Sequence, residues 1–162
     1  MTALDPFTDG LDVPMYVVTA EAGGARAGCL VGFASQCSID PPRFFVWLST
    51  ANHTYRVART AAYLTVHALE RDQRDLAELF GSRTGDRTDK FALTGWRPGH
   101  GGSPVLTSAR TWFTGRVERS VEGGDHVGFL LAPVEVCPPR EGPPPEPLRL
   151  SDVEDLEPGH PA

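Results

Sequence analysis

The chain has 162 residues, of which 40% are hydrophobic and 22% charged, a composition typical of one soluble globular domain. Its net charge of −6 argues against a nucleic acid or an anionic membrane as partner, because basic patches bind both. No apolar run approaches the roughly 20 residues of a membrane-spanning helix, and the first residues lack the basic start and apolar stretch of a signal peptide. We therefore expect a cytoplasmic protein whose 3 cysteines, which match no zinc-binding spacing, are reduced.

The apolar residues are concentrated in the middle of the chain, which predicts three regions. Residues 1–12 are polar and predict a loose N-terminal arm. Residues 13–137 contain the long apolar runs and predict the folded domain. Residues 138–162 begin with the proline-rich run PPREGPPPEP and end in acidic residues, which predicts an extended tail. Within that tail, only Leu148 and Leu150 are expected to dock on the domain.

The first half of the domain shows three strand patterns. Residues 13–20 and 27–33 are rich in apolar and β-branched residues and flank a glycine-containing turn, so they predict a hairpin. Residues 34–38 are small and hydroxyl-rich and predict a polar bend. The prolines of Asp40-Pro41-Pro42 then break the chain. Residues 43–48, RFFVWL, predict a largely buried third strand.

The second half of the domain alternates short helices with strands. Asn52 predicts the N-cap of an amphipathic helix that ends at Thr60, and Asp72 predicts the cap of a second helix that ends at Phe80. Residues 62–69 and 107–121 alternate in polarity as strands do, and residues 127–136 return as an apolar strand after a two-glycine turn. Six or seven strands joined by hairpins predict an antiparallel sheet.

Polar side chains gather at the ends of the two strands that flank the double proline. Ser35, Gln36 and Ser38 follow one strand, whereas Ser49, Asn52 and Thr54 follow the next. If these ends converge, their donors can hold a flat polar ligand or its phosphate. The alternatives are a polar strand end that is capped by its own hydroxyls and an Asn52 that only caps its helix. Both roles are open to Asn52 at the same time.

The order of these motifs, SQCSIDPP followed by RFFVWLSTANHT, resembles the flavin reductase-like, FMN-binding split-barrel family. The resemblance continues through Asp72-Gln73, Phe91 and Gly124-Asp125-His126, and it covers roughly residues 13–136. It implies an antiparallel split β-barrel with two or three short helices, in a homodimer whose flavin lies near the subunit interface. The chain departs from the family pattern at Val31, Gly32 and Phe33, where relatives often have Ala, Asn and Ser.

The resemblance also implies which residues form the site. No catalytic side chain is obligatory, because the flavin carries the electrons. Ser35, Gln36, Cys37 and Ser38 are implied to contact the flavin ring and ribityl chain. Ser49, Asn52 and Thr54 are implied to lie on the phosphate side. Lys90 and Phe91 are implied to lie near both the phosphate and the ring. His126 is implied to face the flavin and to position the nicotinamide. The remaining histidines have no partner at metal-ligand spacing, so no metal is expected.

The implied activity is the reduction of FMN, or of FAD, by NADH or NADPH, with the reduced flavin supplied to a partner oxygenase. A second class of function is an FMN-binding carrier or binding module that does not turn over nicotinamide rapidly. A split-barrel oxidase that acts on another substrate is a third. Steady NAD(P)H oxidation on addition of free flavin distinguishes the first class from the second.

Overall fold

A computed structural model describes residues 1–82 and 88–156 of the chain. Within these residues the strands are β1 (Tyr16–Ala22), β2 (Ala25–Val31), β3 (Ala34–Ser38), β4 (Arg43–Ser49), β5 (Tyr63–Ala68), β6 (Trp96–Pro98), β7 (Pro104–Leu106), β8 (Trp112–Glu122) and β9 (His126–Val136). The helices are α1 (Asp5–Thr8), α2 (His53–Ala58) and α3 (Arg74–Gly81), with 3₁₀ turns at Lys90–Ala92, His100–Gly102 and Leu150–Asp152. Across this described part, no helix is long and apolar enough to cross a membrane.

Seven strands form one antiparallel sheet in the order β2-β1-β5-β8-β9-β4-β3, and β6 and β7 pair separately. The two edge strands, β2 and β3, are joined only by Gly32 and Phe33. That connection spans at most about 11 Å, whereas seven flat strands spaced about 4.8 Å apart extend over about 29 Å. The sheet must therefore curl until its edges meet at this end. The predicted antiparallel, β-dominated fold with a few short helices is confirmed.

The core lies in two clusters on opposite faces of the curled sheet. Inside the curl, β4 contributes Val46 and Leu48, and β9 contributes Phe129 and Leu131, all at most 1% exposed. These positions alternate along their strands because successive side chains point to opposite faces. The second cluster contains the apolar face of α3 together with residues of β1, β7 and the C-terminal segment. Burial of each large apolar side chain contributes about 1.5–3 kcal/mol to stability.

The segment 34–38, predicted as a polar bend, is instead the edge strand β3. It pairs antiparallel with β4 from Ala34 opposite Val46 to Ser38 opposite Arg43, with a bulge between Gln36 and Ser38. Its central side chains are exposed, so the sequence shows no apolar alternation there. Hydrogen bonding to β4 decides the conformation, and that pairing partner lies outside the segment's own sequence.

The predicted cap of α2 is confirmed, whereas the predicted cap of α3 is wrong. The Oδ1 atom of Asn52 accepts a hydrogen bond from the Thr54 N–H at 2.9 Å. Helix α3 begins after Gln73, which makes no side-chain cap bond. The Gln73 amide group is held elsewhere, since it accepts from the Glu70 N–H and donates to the Ser108 carbonyl. Asp72 instead forms an ion pair with Arg110.

Part of the C-terminal segment is built into the fold. Leu148 is 1% exposed. Its carbonyl accepts from the Met15 N–H at 2.8 Å, and its own N–H donates to the Leu69 carbonyl at 2.9 Å. Val153 is also buried, so the docked segment continues beyond the two leucines that the sequence indicates.

Candidate functional site

A cavity of about 260 Å³ lies where the ends of β2 and β4 meet the start of β9, and we call it the β4–β9 cavity. Its deeper wall is apolar, and Phe33, Trp47, Ser49, Asn52 and His126 provide its ring and polar groups. The complete lining is Val13, Met15, Cys29, Leu30, Val31, Gly32, Phe33, Trp47, Leu48, Ser49, Asn52, His126 and Leu150. None of these described lining residues is an Asp, Glu, Lys or Arg. The cavity therefore suits a flat ring with a few hydrogen-bonding groups.

The pairing of β4 with β9 brings His126 directly opposite Ser49. Thr50 fixes the turn that leads into β9, since it donates to the Asp125 carbonyl through its N–H and its hydroxyl, at 2.9 and 3.2 Å. Gly124 has a φ of +104°, which favours glycine. A side chain on Gly123 would approach the Trp47 ring to 2.6 Å. The predicted two-glycine hairpin thus holds His126 at the cavity.

Two neighbours fix the imidazole of His126. Its Nδ1 atom lies 2.7 Å from Oδ1 of Asp125, and the ring of Phe33 lies 5.0 Å from the imidazole, centroid to centroid. The hydrogen bond from His126 lowers the pKa of the Asp125 carboxyl, so that carboxylate acts as the acceptor. Nε2 is then the ring atom that can bond to a ligand in the cavity.

Asn52 and Thr54, both predicted as phosphate contacts, have different positions. Asn52 lines the cavity with its side chain almost fully buried. Thr54 is 1% exposed and lies behind Asn52, where it bonds the Cys29 thiol. Burial raises the pKa of Cys29 to about 11, since its bonds to Thr54 and Asn52 offset only part of the desolvation. The cavity wall therefore carries a neutral thiol.

The hydroxyl-rich strand β3 does not contribute to the β4–β9 cavity within this chain. Ser35, Gln36 and Cys37 are exposed, and Ser38 is half-buried. The Gln36 amide donates to the Ser38 carbonyl at 3.0 Å. The structure thus brings together Ser49, Asn52 and His126, whereas the 35–38 group lies outside their cavity.

Lys90 and Phe91 also lie outside the cavity lining. The ammonium of Lys90 donates to the carbonyls of Gly28 and Phe80, both at 3.0 Å, and burial lowers its pKa. Phe91 packs edge-on against Phe80 and Trp96. Gly28 precedes Cys29 on β2, so Lys90 supports the cavity wall from behind.

Sequence reasoning missed several residues that line the cavity. Trp47 lies two positions before Ser49, and residues two apart on a strand share a face, so this neighbour was detectable. Val13, Met15 and Leu150 reach the cavity because the C-terminal segment docks beside β1. Leu150 donates its N–H to the Val13 carbonyl at 2.9 Å, and no local pattern in the sequence indicates that contact.

The fold is a mostly antiparallel sheet with few helices, and the described lining of its β4–β9 cavity contains no Asp, Glu, Lys or Arg. The chain belongs to the flavin reductase-like family, since the family model described as "Flavin reductase like domain" matches residues 9–152. It is 30% identical over 116 residues to the FMN reductase (NADH) RutF of Stutzerimonas stutzeri, which covers 72% of this chain and 66% of that protein.

Two further comparisons extend the similarity. The reductase subunit HsaB of a flavin-dependent monooxygenase from Mycobacterium tuberculosis is 30% identical over 100 residues, which covers 59% of this chain and 52% of HsaB. This chain thus spans less than two thirds of either RutF or HsaB. An FMN-binding protein from Thermus thermophilus shares the fold, with a TM-score of 0.76 at 24% identity over 84% of this chain and 76% of that one.

Proposed function

We propose that this protein is an NAD(P)H-dependent flavin reductase that uses FMN, with FAD as the alternative flavin. The β4–β9 cavity carries the proposal, because it combines an uncharged apolar slot with the side chains of Ser49, Asn52 and His126. The relative named FMN reductase (NADH) supports the same chemistry and favours NADH over NADPH. The three free thiols of the described residues are consistent with a reducing compartment, and we place the protein in the cytoplasm.

The lining residues have the chemistry that a flavin needs, but the cavity is large enough for only part of a flavin. A volume of about 260 Å³ lies below the roughly 300–1,000 Å³ of most small-molecule sites. We propose that a second copy of the chain completes the site in a homodimer. The exposed edge strand β3 supports this proposal, because unpaired strand edges are usually covered. Ser35, Gln36, Cys37 and Ser38 would then reach the flavin at the interface.

Each cavity residue has a proposed task. A bound flavin supplies a ring that accepts a hydride from the nicotinamide. Ser49 and Asn52 bond its polar groups on the phosphate side, with Thr54 supporting Asn52 from behind. Trp47 and the apolar wall exclude water. His126 orients the nicotinamide through Nε2, and no side chain is required to transfer a proton.

The proposed consumer of the reduced flavin is a monooxygenase. This proposal is supported by the similarity to HsaB, which is named as the reductase subunit of such an enzyme. A reductase of this kind releases its product, so we expect flavin that exchanges with solution.

A steady-state assay tests the proposed function. The purified full chain is mixed with NADH or NADPH and with FMN or FAD, and the nicotinamide absorbance is followed; the cofactor that copurifies is extracted and identified. We expect continuous NADH oxidation that depends on added FMN. A protein that copurifies with FMN but oxidises neither nucleotide would instead be a carrier, and a protein that binds no flavin would contradict the proposal.

A further inference from the structure

Phe33 is a large apolar side chain that remains exposed beside the β4–β9 cavity. It is 61% exposed, whereas Cys29, Val31 and Leu48, which line the deeper wall, are at most 4% exposed. Phe33 therefore lies at the mouth of the cavity. Exposure of an aromatic ring forfeits the free energy that its burial would contribute, so a ligand that covers the Phe33 ring would gain that contribution.

The backbone around Phe33 is fixed. Its carbonyl accepts a hydrogen bond from the Trp47 N–H at 2.9 Å, and it belongs to the short connection that joins the two edges of the sheet. One side of its ring contacts His126 at 5.0 Å with an interplanar angle of 52°. The ring is thus held at the mouth, beside the imidazole proposed to orient the nicotinamide.

Phe33 offers the aromatic face best placed for a second ring to stack on. Among the described lining residues, the other carbon-rich ring is Trp47, which already stacks on Phe45 at 5.3 Å and 16°. Trp47 is also less exposed than Phe33, at a half-buried position. A ligand that enters after the flavin therefore meets Phe33 and His126 first.

We propose that Phe33 stacks on the nicotinamide ring and favours its oxidised, cationic form. The proposal rests on the proposed function, in which the nicotinamide donates its hydride to the flavin. Loss of a hydride, two electrons with one proton, converts the neutral dihydronicotinamide into a pyridinium ring that carries one positive charge. The face of a phenyl ring attracts cations. No described lining residue is a carboxylate, and the Asp125 carboxylate beside the site is bonded to Nδ1 of His126.

The test measures equilibrium binding rather than turnover. NAD⁺ and tetrahydro-NADH, a neutral analogue that cannot donate a hydride, are each titrated into the full chain saturated with oxidised FMN. The variants are Phe33→Leu, which keeps an apolar side chain but removes the ring, and Phe33→Trp, which keeps an aromatic face. Leu93→Ala serves as control, because Leu93 is 57% exposed and lies outside the cavity lining.

We expect Phe33→Leu to weaken NAD⁺ binding about two- to fivefold more than binding of the neutral analogue, the equivalent of about 0.5–1 kcal/mol. Phe33→Trp should restore the preference for NAD⁺, and Leu93→Ala should change neither affinity. FMN affinity should stay within about twofold in every variant.

Three results would overturn the proposal. Equal changes in the affinities for NAD⁺ and for the neutral analogue, or no change in either, would show that Phe33 does not interact with the positive charge of the nicotinamide ring. A loss of FMN affinity at least as large as the NAD⁺ effect would assign Phe33 to the flavin. A lower mass of Phe33→Leu in light scattering would assign it to a subunit interface. Failure of the proposed function is separate, since it appears as absent NADH oxidation by the unsubstituted chain even where NAD⁺ binds.

Discussion

At the scale of single residues, Asn52 combines a structural bond with a place in the cavity. Its Oδ1 atom caps α2, and the same side chain lines the β4–β9 cavity. We expect Asn52→Asp to retain the cap of α2, because a carboxylate oxygen still accepts from the Thr54 N–H, and to lose some stability because the new charge is buried. The new negative charge should weaken FMN binding tenfold or more, as loss of a bond to a charged group costs about 1.5–3 kcal/mol. FMN titration and urea unfolding measure the two effects.

Asn52→Ala provides the comparison, since it removes both roles. Its free energy of unfolding should fall by about 1 kcal/mol, and its FMN affinity should also fall. Unchanged FMN affinity in Asn52→Asp would place the phosphate elsewhere.

The turn that precedes β9 holds His126 at the cavity, so substitution of His126 should lower kcat/KM for NADH. Replacement by alanine removes the Nε2 atom proposed to orient the nicotinamide, while Ser49 and Asn52 remain in the cavity. We expect His126→Ala to retain FMN affinity within a few-fold and to lose about tenfold or more in kcat/KM for NADH, at least about 1.4 kcal/mol of transition-state stabilisation. Asp125→Asn, which keeps an acceptor for the Nδ1–H, should lose less. Kinetics identical to the unsubstituted protein would limit His126 to the turn.

His67 has no part in the proposed site, and its burial predicts that the free energy of unfolding depends on pH. Its Nδ1–H donates to the Val17 carbonyl at 2.9 Å, and its Nε2 accepts from the Leu106 N–H at 3.0 Å. Complete burial lowers its pKa from 6.5 to about 4. Between these pH values the unfolded chain binds the proton more readily, so acid destabilises the fold. The contribution of His67 is complete above pH 6.5 and is lost as the pH falls towards 4, about 3 kcal/mol in total.

Urea unfolding across this pH range measures the effect. We expect His67→Gln to show a shallower decline of stability with falling pH than the unsubstituted protein, because glutamine does not titrate. The same slope in both proteins would mean that other groups, such as the carboxylates, cause the acid sensitivity.

At the scale of elements, the segment after the proline-rich run acts as part of the domain. Leu148 lies between the backbones of residues 15 and 69 and is 1% exposed, whereas Leu150 is 39% exposed. We expect Leu148→Ala to lower the free energy of unfolding by about 2–5 kcal/mol. The matched change Leu150→Ala should cost less than about 1 kcal/mol. Chemical denaturation measures both, and equal costs would show that the segment is not anchored through Leu148.

At the scale of the whole molecule, the exposed edge of β3 predicts a dimer. Ile39, which follows β3, and Val136, at the end of β9, are 85% and 63% exposed. We expect light scattering at micromolar concentration to give twice the chain mass of 17.5 kDa. A charge in the middle of the strand, Cys37→Glu, should shift the protein towards the monomer, because the interface would bury it. Leu93→Glu is the control, and a monomeric unsubstituted chain would contradict the prediction.

The features that the sequence determined are those that neighbouring residues decide. The cap of α2 depends on Asn52 and Thr54, two residues apart, and the reversal into β9 depends on two adjacent glycines. The apolar runs at 43–48 and 127–136 predict strands, and the structure confirms both strands. Together with the order of motifs, these local patterns were sufficient to predict the β-dominated fold and its family.

The features that only the tertiary structure decided depend on partners distant in the chain. Residues 34–38 become a strand because β4 supplies their hydrogen bonds, and the ammonium of Lys90 faces the carbonyl of Gly28, 62 positions earlier. Leu150 reaches the cavity through a bond to Val13, across nearly the whole chain. Such contacts follow from closure of the sheet and burial of its second core. The local periodicity of the sequence does not indicate which distant segments will contact each other.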